Sequence, residues 1–113
     1  MKNAEKVELW DAKLTDPDPR PSAKNGEPMI VVEVPPGEEW DGCPEQMRMV
    51  KAAADFARQA WASHGPAIKA AHASGQPLQI PPALANVVLV LDGKLVYAPP
   101  LAAQYNIRVR VRT

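Results

Sequence analysis

The sequence predicts an α+β fold: a single layer in which one long helix packs on one face of a largely antiparallel sheet of about five strands, in the order β-β-α-α-β-β-β. Three observations predict this class. Alternating or β-branched apolar runs lie near both ends, an apolar stripe at helical spacing occupies the middle, and an Asp-Gly pair joins two apolar runs near the C-terminus. We expect residues 1–113 to form a single compact domain, because this length supports one core.

The first part of the sheet is predicted from two segments. Residues 6–14 begin with an alternation that places Val7 and Leu9 on one face of a half-buried strand. Residues 29–34, MIVVEV, form a β-branched run that stops at a Pro-Pro-Gly sequence. Residues 15–28 between them contain four prolines and an Asn-Gly pair, which predicts an exposed loop. We expect the two strands to pair as a wide hairpin.

The helical region is expected over residues 44–74, in two pieces. Pro44 suits the first turn of a helix, where its missing N–H would have no partner. An apolar stripe at three- and four-residue spacing follows and comprises Val50, Ala53, Ala54, Ala57, Ala60 and Trp61. Pro66 directly follows a glycine and interrupts this pattern, so we expect a second, short helix that closes at Gly75.

The C-terminal region, residues 86–112, predicts a β-hairpin and a final strand. Asp92-Gly93 is the loop of a tight hairpin whose first arm, apolar on both faces, belongs inside the sheet. In the final strand, alternation predicts an inward set and an outward set. The inward set is apolar or aromatic: Tyr105, Ile107, Val109 and Val111. The outward set is a row of arginines: Arg108, Arg110 and Arg112.

The arginine row is the candidate binding site. Residues 1–56 carry twelve acids and seven bases, a net charge of −5, and residues 57–113 carry a net charge of +5. We expect the two halves to pack together, with Glu8 paired to an arginine across the strand ladder. One glutamate does not neutralise three arginines. The row, with Tyr105 beside it, is therefore expected to contact a partner protein with an acidic surface.

The predicted function is a small non-enzymatic protein–protein interaction module that binds its partner through a charged sheet surface. The size class suits an accessory or inhibitor protein of a phage or mobile element. The alternative is a nucleic-acid-binding accessory domain that uses the arginine strand, although a pI of about 6.7 and few aromatic residues argue against it. A small enzyme or ligand-binding domain ranks third.

The residues that could carry other chemistry give weaker signals. Cys43, the only cysteine, precedes the helix, but nearby acids oppose a thiolate, which favours an incidental or helix-capping role. His64 and His72 are eight residues apart and lack the spacing and the further ligand of a zinc site. No phosphate-binding loop or nucleophile elbow occurs. We therefore expect no catalytic residue, no metal and no cofactor.

The cellular location is predicted from the lack of a long apolar run, the lack of an apolar leader and the single cysteine. The chain has neither a run of about 18 apolar residues nor an apolar leader, so we expect no membrane partner. A lone cysteine fits a reducing compartment, and we expect a cytoplasmic location. An exposed edge strand also offers a route to a homodimer.

Overall fold

The computed structural model describes residues 6–9, 28–34, 41–99 and 107–113. Its elements are five strands, one long helix and a 3₁₀-helix: β1 (Lys6–Leu9), β2 (Met29–Val34), α1 (Pro44–Ala73), the 3₁₀-helix Pro82–Leu84, β3 (Val87–Leu91), β4 (Lys94–Tyr97) and β5 (Arg108–Arg112). The α+β class is thereby confirmed. The predicted loop 15–28 lies outside the described residues except for its last residue.

The five strands form one mixed sheet in the order β1-β2-β5-β3-β4. β1 is parallel to β2 and β3 is parallel to β5, whereas the pairs β2–β5 and β3–β4 are antiparallel. The sheet is therefore mixed and not largely antiparallel, and the first two strands do not form a hairpin. The connection between them, residues 10–28, is long enough to bring the chain back to the start of a parallel neighbour.

α1 is one continuous helix of 30 residues and not the two pieces expected from the sequence. Pro66 lies inside this helix, where its ring crowds the carbonyl four residues earlier and its missing N–H leaves that carbonyl without a helical bond. Pro66 and Ala62, which bears this carbonyl, are both exposed. Because the carbonyl can tilt towards water on the solvent side, the helix continues through the proline.

The start of α1 is fixed by a glutamine. Cys43 is the N-cap residue and Pro44 occupies the first turn, as predicted. The backbone N–H groups of Asp41, Gly42 and Cys43 donate to Oε1 of Gln46, at 3.1, 2.8 and 3.2 Å. This side chain satisfies donors that precede the first turn and so holds the approach to the helix in place.

The core lies between α1 and one face of the sheet. α1 supplies small and large residues of the predicted stripe: Val50, Ala54, Ala57, Ala60, Trp61 and, further along, Ile68. The sheet supplies alternate residues of its central strands: Ile30, Val32, Val34, Val87, Leu89, Leu91, Val109 and Val111. Trp61 packs directly on Gly65, since a Cβ added there would lie 2.5 Å from Cε2 of the indole. A side chain at that position would displace the largest residue of the helix face.

The β3–β4 hairpin forms at the predicted Asp-Gly pair. Asp92 has φ 55° and Gly93 has φ 78°, the left-handed values that a two-residue turn of this type requires. Leu91 pairs with Lys94 and Val90 with Leu95, and an irregularity then shifts the register so that Leu89 pairs with Tyr97. Every residue of β3 is buried, in agreement with its predicted place inside the sheet.

Candidate functional site

The arginine row lies on the face of the sheet opposite α1. Val109 and Val111 belong to the core under the helix, and strand alternation sends Arg108, Arg110 and Arg112 to the other face, as expected. All three arginines are buried, however, with 4%, 2% and 2% of their surface exposed. The expectation of a solvent-facing row is therefore wrong.

The whole centre of this second face is enclosed. Val31 and Val88 flank Arg110 in the strand register and are 0% exposed, and Val90, next to Arg112, is 1% exposed. Alternation assigned the arginines to the correct face of the sheet. It carried no information on whether that face is covered, because covering depends on contacts between residues far apart in sequence.

Glu33 of β2 is the acid that pairs with the arginine row. It stands opposite Arg108 in the antiparallel register of β2 and β5, and it is 0% exposed. Nε of Arg108 donates to Oε1 of Glu33 at 2.6 Å, and an Nη of Arg110 donates to Oε2 at 3.0 Å. Both carboxylate oxygens are thus engaged by β5. The sequence did carry a signal for this residue, since Glu33 is the only charged residue of an otherwise apolar strand.

The predicted position of Glu8, directly across a ladder from an arginine, is corrected by the strand order. β1 pairs with β2 and not with β5, so Glu8 stands in register with Glu33 instead of directly across a ladder from an arginine. The wide-hairpin prediction had left β1 free to lie beside the final strand. β5 instead inserts between β2 and β3, and the acid that meets it comes from the second strand.

These contacts form a buried charge network that links β2 to β5. We call Glu33, Arg108 and Arg110 the ion-pair cluster; Glu33 and all three arginines make additional interactions, so none of them is free. Each buried charge costs free energy unless a partner of opposite charge and hydrogen bonds accompany it. The ion pairs match the observed register, in which Glu33 stands opposite Arg108, and removing one member leaves a buried charge behind. A partner-binding role for the row remains a prediction, and Tyr105 lies outside the described residues.

The other candidate residues lie apart from this cluster. Cys43 is a half-buried free cysteine at the N-cap of α1, and its own N–H also donates to the carboxylate of Asp41 at 3.0 Å. His64 is exposed and His72 is half-buried, both on α1. In the described part of the chain, no group of three His, Cys, Asp or Glu side chains is placed to hold a metal ion. Within the same residues, no helix has the length and apolar character needed to cross a membrane.

Among the residues that the structure describes, large apolar side chains are exposed on β1 and on α1. On β1, the side chains of Val7 and Leu9 are 45% and 68% exposed, and we call this pair the edge surface. On α1, Met47, Met49 and Phe56 are also exposed. The sequence placed Val7 and Leu9 together on one face of a strand, but it assigned no function to them.

The chain has no significant match to a protein-family model, to a curated protein or to a solved structure.

Proposed function

We propose that this protein is a small non-enzymatic protein–protein interaction module that binds its partner along β1. The observation that carries the proposal is the exposure of Val7 and Leu9 on a strand at the end of the sheet. Apolar side chains on an exposed edge strand favour association with another chain, which natural proteins otherwise avoid with charges, prolines or bulges.

The backbone of β1 supports the same proposal. Among the described residues, β1 pairs with β2 alone, so one side of the strand is not used by the sheet. An extended segment of a partner can add to such an edge through main-chain hydrogen bonds, while alternate side chains provide specificity. We expect the partner segment to carry apolar residues at alternate positions.

The edge surface lies on the helix side of the sheet. Val7 is in register with Val32 and Leu9 with Val34, and both β2 residues belong to the core under α1. α1 packs on β2 and β5, so the apolar side chains of β1 lie beside the area that the helix covers. A partner strand added at β1 would extend the sheet and cover this apolar surface, which stabilises the complex.

This proposal replaces the charged sheet surface as the site of contact. The ion-pair cluster occupies the inside of the protein, and a partner would have to displace whatever covers the second face before reaching the arginines. Nucleic-acid binding through the arginine strand meets the same obstacle, because phosphate contacts require accessible cations. No observation on the described residues favours that alternative.

The test compares wild-type protein with the double variant Val7→Thr and Leu9→Thr. Threonine keeps strand propensity but removes apolar surface, so the fold should be retained. We expect a partner captured by the wild-type protein to lose at least about tenfold in affinity for the variant, as measured with purified components, since a loss of about 1.4 kcal/mol corresponds to this factor. The exposed residue Phe56, changed to Ser, provides a matched control away from β1.

Two further measurements, hydrogen exchange and molar mass, locate the contact and identify the kind of partner. Binding by strand addition should slow amide exchange in β1, and a concentration-dependent dimer that the double variant loses would identify the partner as a second copy of the chain. A partner that binds the double variant at full strength, or one that protects other amides only, refutes the edge as the contact surface.

A further inference from the structure

A groove of about 470 Å³ lies between the C-terminal half of α1 and the segment that follows the helix. The helix wall presents residues about one turn apart, His64, Ile68 and Ala71. The opposite wall is the segment 76–81, which has no regular secondary structure and lies beside the helix. The groove shares no residue with the edge surface or the ion-pair cluster.

Both ends of the second wall are anchored. The N–H of Gln76 donates to the carbonyl of Ala71 at 2.9 Å, which ties the segment to the end of the helix. At the other end, the N–H of Leu84 donates to the carbonyl of Pro81 at 2.9 Å, and the Leu84 side chain is fully buried. Pro77 and Pro81 restrict the backbone between these anchors. The groove is therefore preformed, so that binding a ligand would cost little conformational entropy in the protein.

The lining combines an apolar floor with a polar rim. Ile68 is buried and Ile80 is half-buried against the core. His64, Gln76 and Gln79 are exposed and line the groove above them. No Asp, Glu, Lys or Arg is among the described residues that line it. Each glutamine amide offers both a donor and an acceptor, and neither offers a counter-charge for an ionic ligand.

We propose that this groove is a binding site for a small neutral ligand that has a flat apolar ring and a carboxamide-type edge. The ring lies on the isoleucine floor, and the edge exchanges donor and acceptor hydrogen bonds with the amides of Gln76 and Gln79. The volume falls within the range of about 300–1,000 Å³ that is usual for small-molecule sites. A charged ligand of the same shape would lose hydration without gaining an ion pair to an Asp, Glu, Lys or Arg side chain of the described lining.

The test uses three probes of one shape and different charge: benzamide, benzoate and benzamidine. We expect benzamide to cause saturable amide chemical-shift changes at His64, Ala71 and the segment 76–81 of the ¹⁵N-labelled protein. The two charged probes should bind at least several-fold more weakly. The double variant Gln76→Ala and Gln79→Ala should reduce benzamide affinity roughly tenfold, the effect of losing one or two hydrogen bonds.

The control is Gln59→Ala, which removes an exposed glutamine of the same helix outside the groove and should leave benzamide binding unchanged. Unchanged binding in the edge variant Val7→Thr and Leu9→Thr would separate this site from the proposed partner surface. The proposal is overturned by the absence of saturable shifts up to the solubility limit of benzamide. It is equally overturned by equal responses to the three probes, or by an unaltered affinity in the double glutamine variant.

Discussion

Glu33 combines complete burial, a negative charge and two guanidinium partners, and this combination explains its place in an apolar strand. A carboxylate taken out of water is tolerated only if both oxygens are engaged, and Arg108 and Arg110 engage one oxygen each. The same logic holds for the arginines, whose burial would be unfavourable without an acid beside them. The three residues therefore act as a unit, and changes to them should not be additive.

We predict that Glu33→Gln destabilises the protein by about 3 kcal/mol or more, because it removes the negative charge between two buried cations. Urea unfolding measures this loss as a lower midpoint with an unchanged slope. Glu45→Gln is the control, since Glu45 is exposed in the first turn of α1 and should cost at most about 1 kcal/mol. Equal midpoints for wild type and Glu33→Gln would mean that the cluster contributes nothing to stability.

At the scale of elements, the strongest sequence signals were local ones. The Asp92-Gly93 turn and the apolar stripe of α1 each depend on neighbours within a few residues, and both were predicted correctly. The break expected at Pro66 was wrong because the pattern did not show that the crowded carbonyl faces solvent. The wide hairpin and the placement of the first strand beside the last were wrong because β5 pairs with strands far away in sequence, and nothing local records such a pairing.

We predict that Pro66→Ala stabilises the protein by about 1–3 kcal/mol, because alanine restores the helical hydrogen bond to Ala62 and relieves the crowding of the ring. Thermal unfolding followed by circular dichroism should show a higher melting temperature. The companion variant Ala62→Pro would introduce a second proline one turn earlier in α1 and should lower the melting temperature. A lower melting temperature for Pro66→Ala would show that the proline is favourable where it stands.

We predict that Gly93→Val destabilises the protein by about 1–3 kcal/mol, since φ is 78° at this residue and a β-branched side chain strongly resists that conformation. An added Cβ would meet no neighbour within 4 Å, so the cost is conformational and not a clash. Gly93→Asn tolerates this backbone better and should cost less. If valine and asparagine unfold at the same temperature as glycine, the turn does not limit stability.

Across the whole molecule, the structure buries charged residues and exposes apolar residues at positions where the sequence predicted the opposite or predicted nothing. The arginine row was expected at the surface with an acidic partner, whereas its cluster with Glu33 lies inside. The candidate contact surface is instead on β1, where Val7 and Leu9 are exposed. Alternation in a strand predicts which residues share a face, but it does not predict which face the rest of the chain covers. For this reason the arginine face could be predicted and its burial could not.

Burial of the arginine row with Glu33 is tested most directly by the free energy of unfolding, in urea, of the triple variant Arg108→Gln, Arg110→Gln and Arg112→Gln. We predict a loss of at least about 3 kcal/mol, or failure to fold, because Glu33 would then be buried without its two arginine partners. The variant Val7→Thr and Leu9→Thr should stay within about 1 kcal/mol of wild type, because its changes lie on an exposed edge. A triple variant as stable as the wild-type protein would show that the arginines are not buried with Glu33, and the arginine row would again be the candidate binding site.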